Sequence, residues 1–128
     1  MLRRKLDEYC QSVVERFKKE GSIINRYYPY ANFFGQESAG LKQIRGNGTL
    51  VLTDKALYFA LWKPNREYTI PLNEIIGIEK TKWHLKKTKG IMMLKVVFNN
   101  AKGEQDSIAW IVDKLDEWIG LLAKYIKK

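Results

Sequence analysis

The sequence predicts a mainly β, α+β domain: a seven-stranded antiparallel sandwich or barrel, capped by a C-terminal helix and preceded by an extra N-terminal helix. Three observations predict it. Gly48-Thr49-Leu50-Val51-Leu52-Thr53-Asp54-Lys55-Ala56-Leu57-Tyr58-Phe59 holds two alternating apolar runs around a tight Thr53-Asp54-Lys55 break. Side chains alternate faces along a strand, so Leu50 and Leu52 share a buried face with Leu57, Phe59 and Leu61. Runs of this kind then recur at short intervals up to Ile111, each bounded by turn residues. After the last of them comes one amphipathic helix.

The elements follow in order. Residues 2–20 place Leu2, Leu6, Tyr9, Cys10, Val13, Val14 and Phe17 at spacings of three and four, with Arg3, Arg4, Asp7, Glu8, Glu15, Lys18 and Lys19 mostly opposite. That is an amphipathic helix, and Gly21 is its expected stop. Tyr27-Tyr28-Pro29-Tyr30-Ala31-Asn32-Phe33-Phe34-Gly35 is crowded with aromatics, but Pro29 and Gly35 argue against a long regular element. A loop or short turns packed over one end of the core are expected there. Strands are expected at 37–45, 47–53, 56–62, 66–72, 75–83, 91–99 and 104–111. In the sixth, Met92, Leu94, Val96 and Phe98 form one face and Met93, Lys95 and Val97 the other. A helix over 112–126 has the stripe Leu115, Trp118, Ile119, Leu122 and Ile126. Asp113, Asp116 and Glu117 sit early and Lys124, Lys127 and Lys128 late, both in favour of the helix dipole. Residues 1–36 thus read as an N-terminal helix and connecting segment, and 37–128 as the strand-rich domain, in one compact unit.

At 128 residues the chain suits one domain and is long enough to bury a proper core. Its 23 Lys and Arg against 14 Asp and Glu give a net charge of +9, which draws it toward anionic membranes, nucleic acid or acidic proteins. Cys10 is the single cysteine, so no internal disulfide forms. No long apolar run follows the first charges, so neither a signal peptide nor a spanning helix is expected. These features read as a cytoplasmic protein with access to a membrane surface.

The densest charge lies in Lys80-Thr81-Lys82-Trp83-His84-Leu85-Lys86-Lys87-Thr88-Lys89, with five lysines in ten residues and no acid. Tryptophan favours the headgroup region of a bilayer and lysine is drawn by its surface potential. Lys80, Lys82, Lys86, Lys87 and Lys89 would contribute about 1 kcal/mol each at an acidic leaflet, and about 5 kcal/mol corresponds to a dissociation constant near 0.2 mM. Stable recruitment therefore needs a second signal. The competing reading folds Trp83 onto the core and leaves a solvated charged hairpin. Likewise the stripe Leu6, Tyr9, Val13 and Phe17 either covers the domain's own sheet or serves as a surface for a protein partner or self-assembly.

Seven short strands followed by one helix resembles the pleckstrin-homology-like superfold, and its GRAM branch most. The 48–59 hairpin looks like that family's G-x-L-x-L-T hairpin. Tyr68-Thr69-Ile70-Pro71-Leu72-Asn73-Glu74-Ile75-Ile76-Gly77-Ile78-Glu79-Lys80 is similar to its I-P-L-x-x-I-x-x-I-x-K strand pair, and Trp118 stands where the superfold carries a helix tryptophan. The resemblance spans about residues 37–126. It implies a non-catalytic binding module whose lipid head group, when it binds one, sits among the first, third and sixth inter-strand loops. Those loops hold Arg45, Lys63 with Arg66, and Lys102. That set is sparse, and the denser cluster lies in the fifth loop.

Other chemistries find little support. His84 and Cys10 are the sole residues of their types and far apart, so neither metal-ligand spacing nor a Cys–His nucleophile is present. Asp54 and Asp106 read as turn and surface groups. Gly46-Asn47-Gly48 precedes a strand rather than a helix, so it is no phosphate loop. Trp62 and Trp83 could stack on single-stranded bases, but the basic residues line no single groove and no nucleic-acid signature occurs. No cofactor and no metal is called for. The expected function is a non-catalytic module contacting an anionic membrane surface or lipid head group, with protein interaction through the N-terminal helix as the alternative.

Overall fold

A computed structural model describes residues 2–39, 46–62, 66–84 and 90–126. Helix α1 spans Leu2–Lys19. Seven strands follow: β1 Ile24–Gln36, β2 Gly46–Thr53, β3 Ala56–Leu61, β4 Arg66–Pro71, β5 Ile75–Thr81, β6 Met93–Asn99 and β7 Gln105–Ile111. Helix α2, Leu115–Ala123, comes last. All pairings are antiparallel, in the order β4-β3-β2-β1-β7-β6-β5.

The first strand is the main departure from the sequence reading. The aromatic segment expected to be a loop is β1, and Glu37–Ala39, expected to begin a strand, forms a 3-10 turn. The remainder of the expected 37–45 strand, 40–45, lies outside the described residues. The reason is local. Pro29 falls within the register shift between Tyr28 and Ala31, where a missing N–H costs no ladder bond. Gly35, at φ 109, falls within the second shift, between Phe33 and Gln36. Both residues that look like breakers sit where β1 bends as it passes from pairing with β2 to pairing with β7. The aromatic and β-branched content then asserts its strand preference.

The sheet curls around one core. Phe59 on β3 and Trp110 on β7 have ring centroids 5.7 Å apart. Three strand spacings would hold them about 14 Å apart in a flat sheet. Leu50, Leu52, Leu57, Phe59 and Leu61 are buried there together, as the hairpin alternation requires, with Leu94, Val96 and Phe98 of β6. Trp118 and Leu122 of α2 close one end of it. Helix α2 is shorter than the 112–126 expected, because Lys114 takes a left-handed φ of 52 just before it. Met92 does not join the β6 face; it precedes the strand and is exposed.

The outer face of β2 and β3 is covered by α1. Cys10, Val13 and Val14 pack on Val51, Tyr58 and Ala60, and the Phe17 ring meets Tyr58 edge-on at 4.8 Å. The helix ends as expected at Gly21, whose φ is 85. Gly21 N donates to Lys18 O and Ser22 N to Phe17 O, both at 3.0 Å, which is the Schellman pattern. Arg16 then pins the last turn, donating from Nη2 to Tyr58 Oη at 2.7 Å and lying 3.4 Å from Glu67.

Candidate functional site: the two ends of the sheet

The strand registers place the connections at opposite ends. Phe33 pairs with Gly46, Leu61 with Arg66 and Asn99 with Gln105, so the first, third and sixth connections share one end. Thr81 pairs with Met93, so the β5–β6 connection leaves from the other, beside the start of α2.

At the α2 end, Trp83 is 61% exposed, Ile91 53% and Met92 45%. The core-packed reading of Trp83 is thus replaced by an outward ring. Its backbone is held from both sides. Thr81 Oγ1 accepts from Trp83 N at 3.1 Å and donates to Trp83 O at 2.8 Å. The next residue, His84, is buried, and its Nε2–H donates to Gly35 O at 2.9 Å. Lys82 is exposed alongside. Lys80 is spoken for, with Nζ 2.6 Å from Asp116 Oδ1 on α2. Lys86, Lys87 and Lys89 lie outside the described residues.

The opposite end opens on a cavity of about 1120 Å³. The half-buried Tyr68 lies at its base over the buried core residues Ile70, Phe98 and Ile108, and Glu67, Glu74, Glu104 and Asp106 border it with Lys102. Of the four cations suggested by the loop resemblance, Lys102 lines this mouth, Arg66 is exposed at the start of β4, and Arg45 and Lys63 lie outside the described residues. Among the described lining residues Lys102 is thus accompanied by four carboxylates.

Asp106 corrects the surface reading: it is fully buried. Its Oδ2 accepts from Gln36 Nε2 at 2.7 Å and Ser38 Oγ at 2.6 Å, and its Oδ1 accepts from Ser38 N and Ser107 N, both at 2.9 Å. Burial pushes its pKa up, but the donors from Ser38 and Ser107 outweigh that and hold it below the usual carboxylate value. A depressed folded pKa stabilises above the unfolded value and loses that contribution as pH falls through the folded one. Asp106→Asn is therefore expected to cost about 2 kcal/mol near neutral pH. The gap from wild type should narrow as pH drops below about 4. Urea melts of both proteins between pH 7 and pH 3 check this. The signal available in the sequence was Asp106 standing at the β7 entrance between Gln105 and Ser107, with no hint of the donors that β1 brings.

The remaining residues singled out are structural in placement. Leu6 and Val13 are buried on the inner side of α1, and Tyr9 and Phe17 are half-buried there, so the stripe lies against its own chain. Cys10 sits in that same cluster, where burial pushes its thiol up to about 11 and keeps it protonated at neutral pH. Among the described residues no three His, Cys, Asp or Glu side chains are grouped to hold a metal ion, and no helix is long and apolar enough to cross a membrane.

Comparison with known proteins locates the fold alone. No family model matches the chain, and no curated protein matches it. Among solved structures, it is similar to the C-terminal domain of an unknown protein from Leishmania infantum. The TM-score is 0.62 over 91% of this chain and 98% of that one, at 15% identity.

Proposed function

We propose that this chain is a non-catalytic binding module of the GRAM or pleckstrin-homology-like kind that docks on an anionic membrane surface through the β5–β6 connection. The observation that supports it is the exposed Trp83 after β5, with Ile91 and Met92 also exposed before β6, at the end where Thr81 pairs with Met93. Chain ends that leave adjacent strands side by side present these apolar groups together, and a membrane interface takes aromatic and cationic groups together. With Lys80 engaged by Asp116, Lys82, Lys86, Lys87 and Lys89 bring four charges, about 4 kcal/mol at an acidic leaflet. Partial burial of the three apolar side chains adds about 1 kcal/mol each. Together these give a dissociation constant near 10 μM, tight enough for peripheral and reversible attachment. The cytoplasmic leaflet, rich in anionic lipid, is the matching surface. Assembly through Leu6, Tyr9, Val13 and Phe17 has less free surface to use, since Leu6 is buried and the other three pack on the chain's own strands.

Co-sedimentation with acidic and neutral vesicles tests this. Binding is expected with acidic vesicles only, falling steeply from low to physiological salt. Trp83→Ser should weaken it by about fivefold, and Lys82/Lys86/Lys87/Lys89→Glu should abolish it. Wild-type protein left in the supernatant under every condition sinks the proposal.

A further inference from the structure

The cavity opposite α2 is bordered by five consecutive residues of β4, Glu67 to Pro71. β4 stands at the end of the strand order, so its outward N–H and C=O groups have no ladder partner among the described strands. An open edge beside a cavity is a template to which an extended peptide adds a strand, main-chain bonds supplying affinity and alternate side chains reaching into the cavity. Tyr68 and Ile70 alternate with Glu67 and Thr69 along that edge, so apolar and polar side chains alternate too. The facing wall is the β6–β7 turn. It is fixed by Asn100, whose Oδ1 accepts from Lys102 N at 2.9 Å and Glu104 N at 3.1 Å. At about 1120 Å³ the space exceeds a compact small-molecule pocket and suits a segment of several residues.

Charge selects the occupant. In a chain of net charge +9, the described residues of this mouth gather Glu67, Glu74, Glu104 and Asp106 against Lys102. Asp106 is satisfied internally and Glu67 is shared with Arg16, but Glu74 and Glu104 have no ion-pair partner among the described residues. We propose that this groove binds an extended basic segment of a partner protein, added as a strand along β4 with an apolar side chain against the half-buried Tyr68 and its cations facing Glu74 and Glu104. The site is independent of the membrane-docking end.

The test uses the full chain and a fluorescein-labelled eight-residue peptide of alternating Lys and Val. Comparators are alternating Glu-Val, which reverses the charge, and alternating Lys-Pro, which keeps it but lacks half the N–H donors. Anisotropy reports affinity and backbone amide NMR shifts report place. The Lys-Val peptide is expected to bind with its largest shifts in 66–71 and 99–104, and both comparators should bind about tenfold more weakly. A Glu74→Lys/Glu104→Lys variant, altered at a half-buried and an exposed position, should lose about tenfold in affinity, and Glu104→Lys alone should lose part of it with an unchanged thermal melt. The proposal is overturned if Lys-Val fails to bind at millimolar concentration, if either comparator matches it, if the shifts gather on β5, or if the charge reversal has no effect.

Discussion

Gly48→Ala is expected to destabilise the protein by about 3 kcal/mol, lowering Tm by about 10 °C. A Cβ at this position would lie 2.2 Å from Ala60 O, 2.9 Å from Leu61 Cα and 2.7 Å from the Phe59 ring. Two of those three neighbours are backbone of the paired strand β3, which cannot rotate away, so the hairpin must part or shift register. Gly48 is thus needed for close strand approach rather than for an unusual φ. Two other glycines serve as controls. Gly77→Ala meets only Val97 Cβ at 3.8 Å and should change stability little. Gly120→Ala has nothing within 4 Å inside α2 and should stabilise by about 0.5–1 kcal/mol. Thermal melts of the three variants under one condition decide the matter; equal behaviour of the first two would refute the close-packing account.

Trp118→Ala should cost about 3–5 kcal/mol, while Trp83→Ala should stay within about 0.5 kcal/mol. Trp118 is fully buried in the main core, with the Arg26 guanidinium 5.5 Å from its ring centroid. Truncation leaves a void at the end of the curled sheet and weakens the docking of α2, whose interior contacts rest on Trp118 and Leu122. Trp83 has most of its surface in water and little to lose on truncation. Vesicle binding should show the reverse order once folded protein is compared. Chemical denaturation followed by circular dichroism separates the two. A stability loss at Trp83 as large as that at Trp118 would mean the ring is packed rather than presented.

Much of the fold was legible because it rests on short-range periodicity. The 48–61 hairpin, the α1 stripe, the Gly21 stop and the Trp118–Leu122 face all follow from which residues share a side at a spacing of two or of three to four. The first strand was not legible, since Pro29 and Gly35 carry breaker chemistry wherever they occur. Only the pairing partners show that both fall at register shifts, where a strand tolerates them. The basic segment at 80–89 could be located by counting lysines, but whether Trp83 pointed in or out could not. The hydrogen bonds of Thr81 and His84 decide that, and Gly35, the acceptor for His84, is 49 residues away in sequence.

The acidic mouth was the least visible feature. Glu67, Glu74, Glu104 and Asp106 are scattered through the sequence among more numerous lysines, and composition alone reports a cationic chain. By itself the sequence determined the strand-rich class, the helices at both ends and the net charge, because propensity, alternation and composition are properties of neighbours along the chain. Tertiary structure alone decided the curl of the sheet, the burial of Asp106, the pairing of Lys80 with Asp116 and the separation of the exposed Trp83 from the carboxylates beside β4. Each of those depends on residues distant in sequence meeting in space, and no local pattern encodes the meeting.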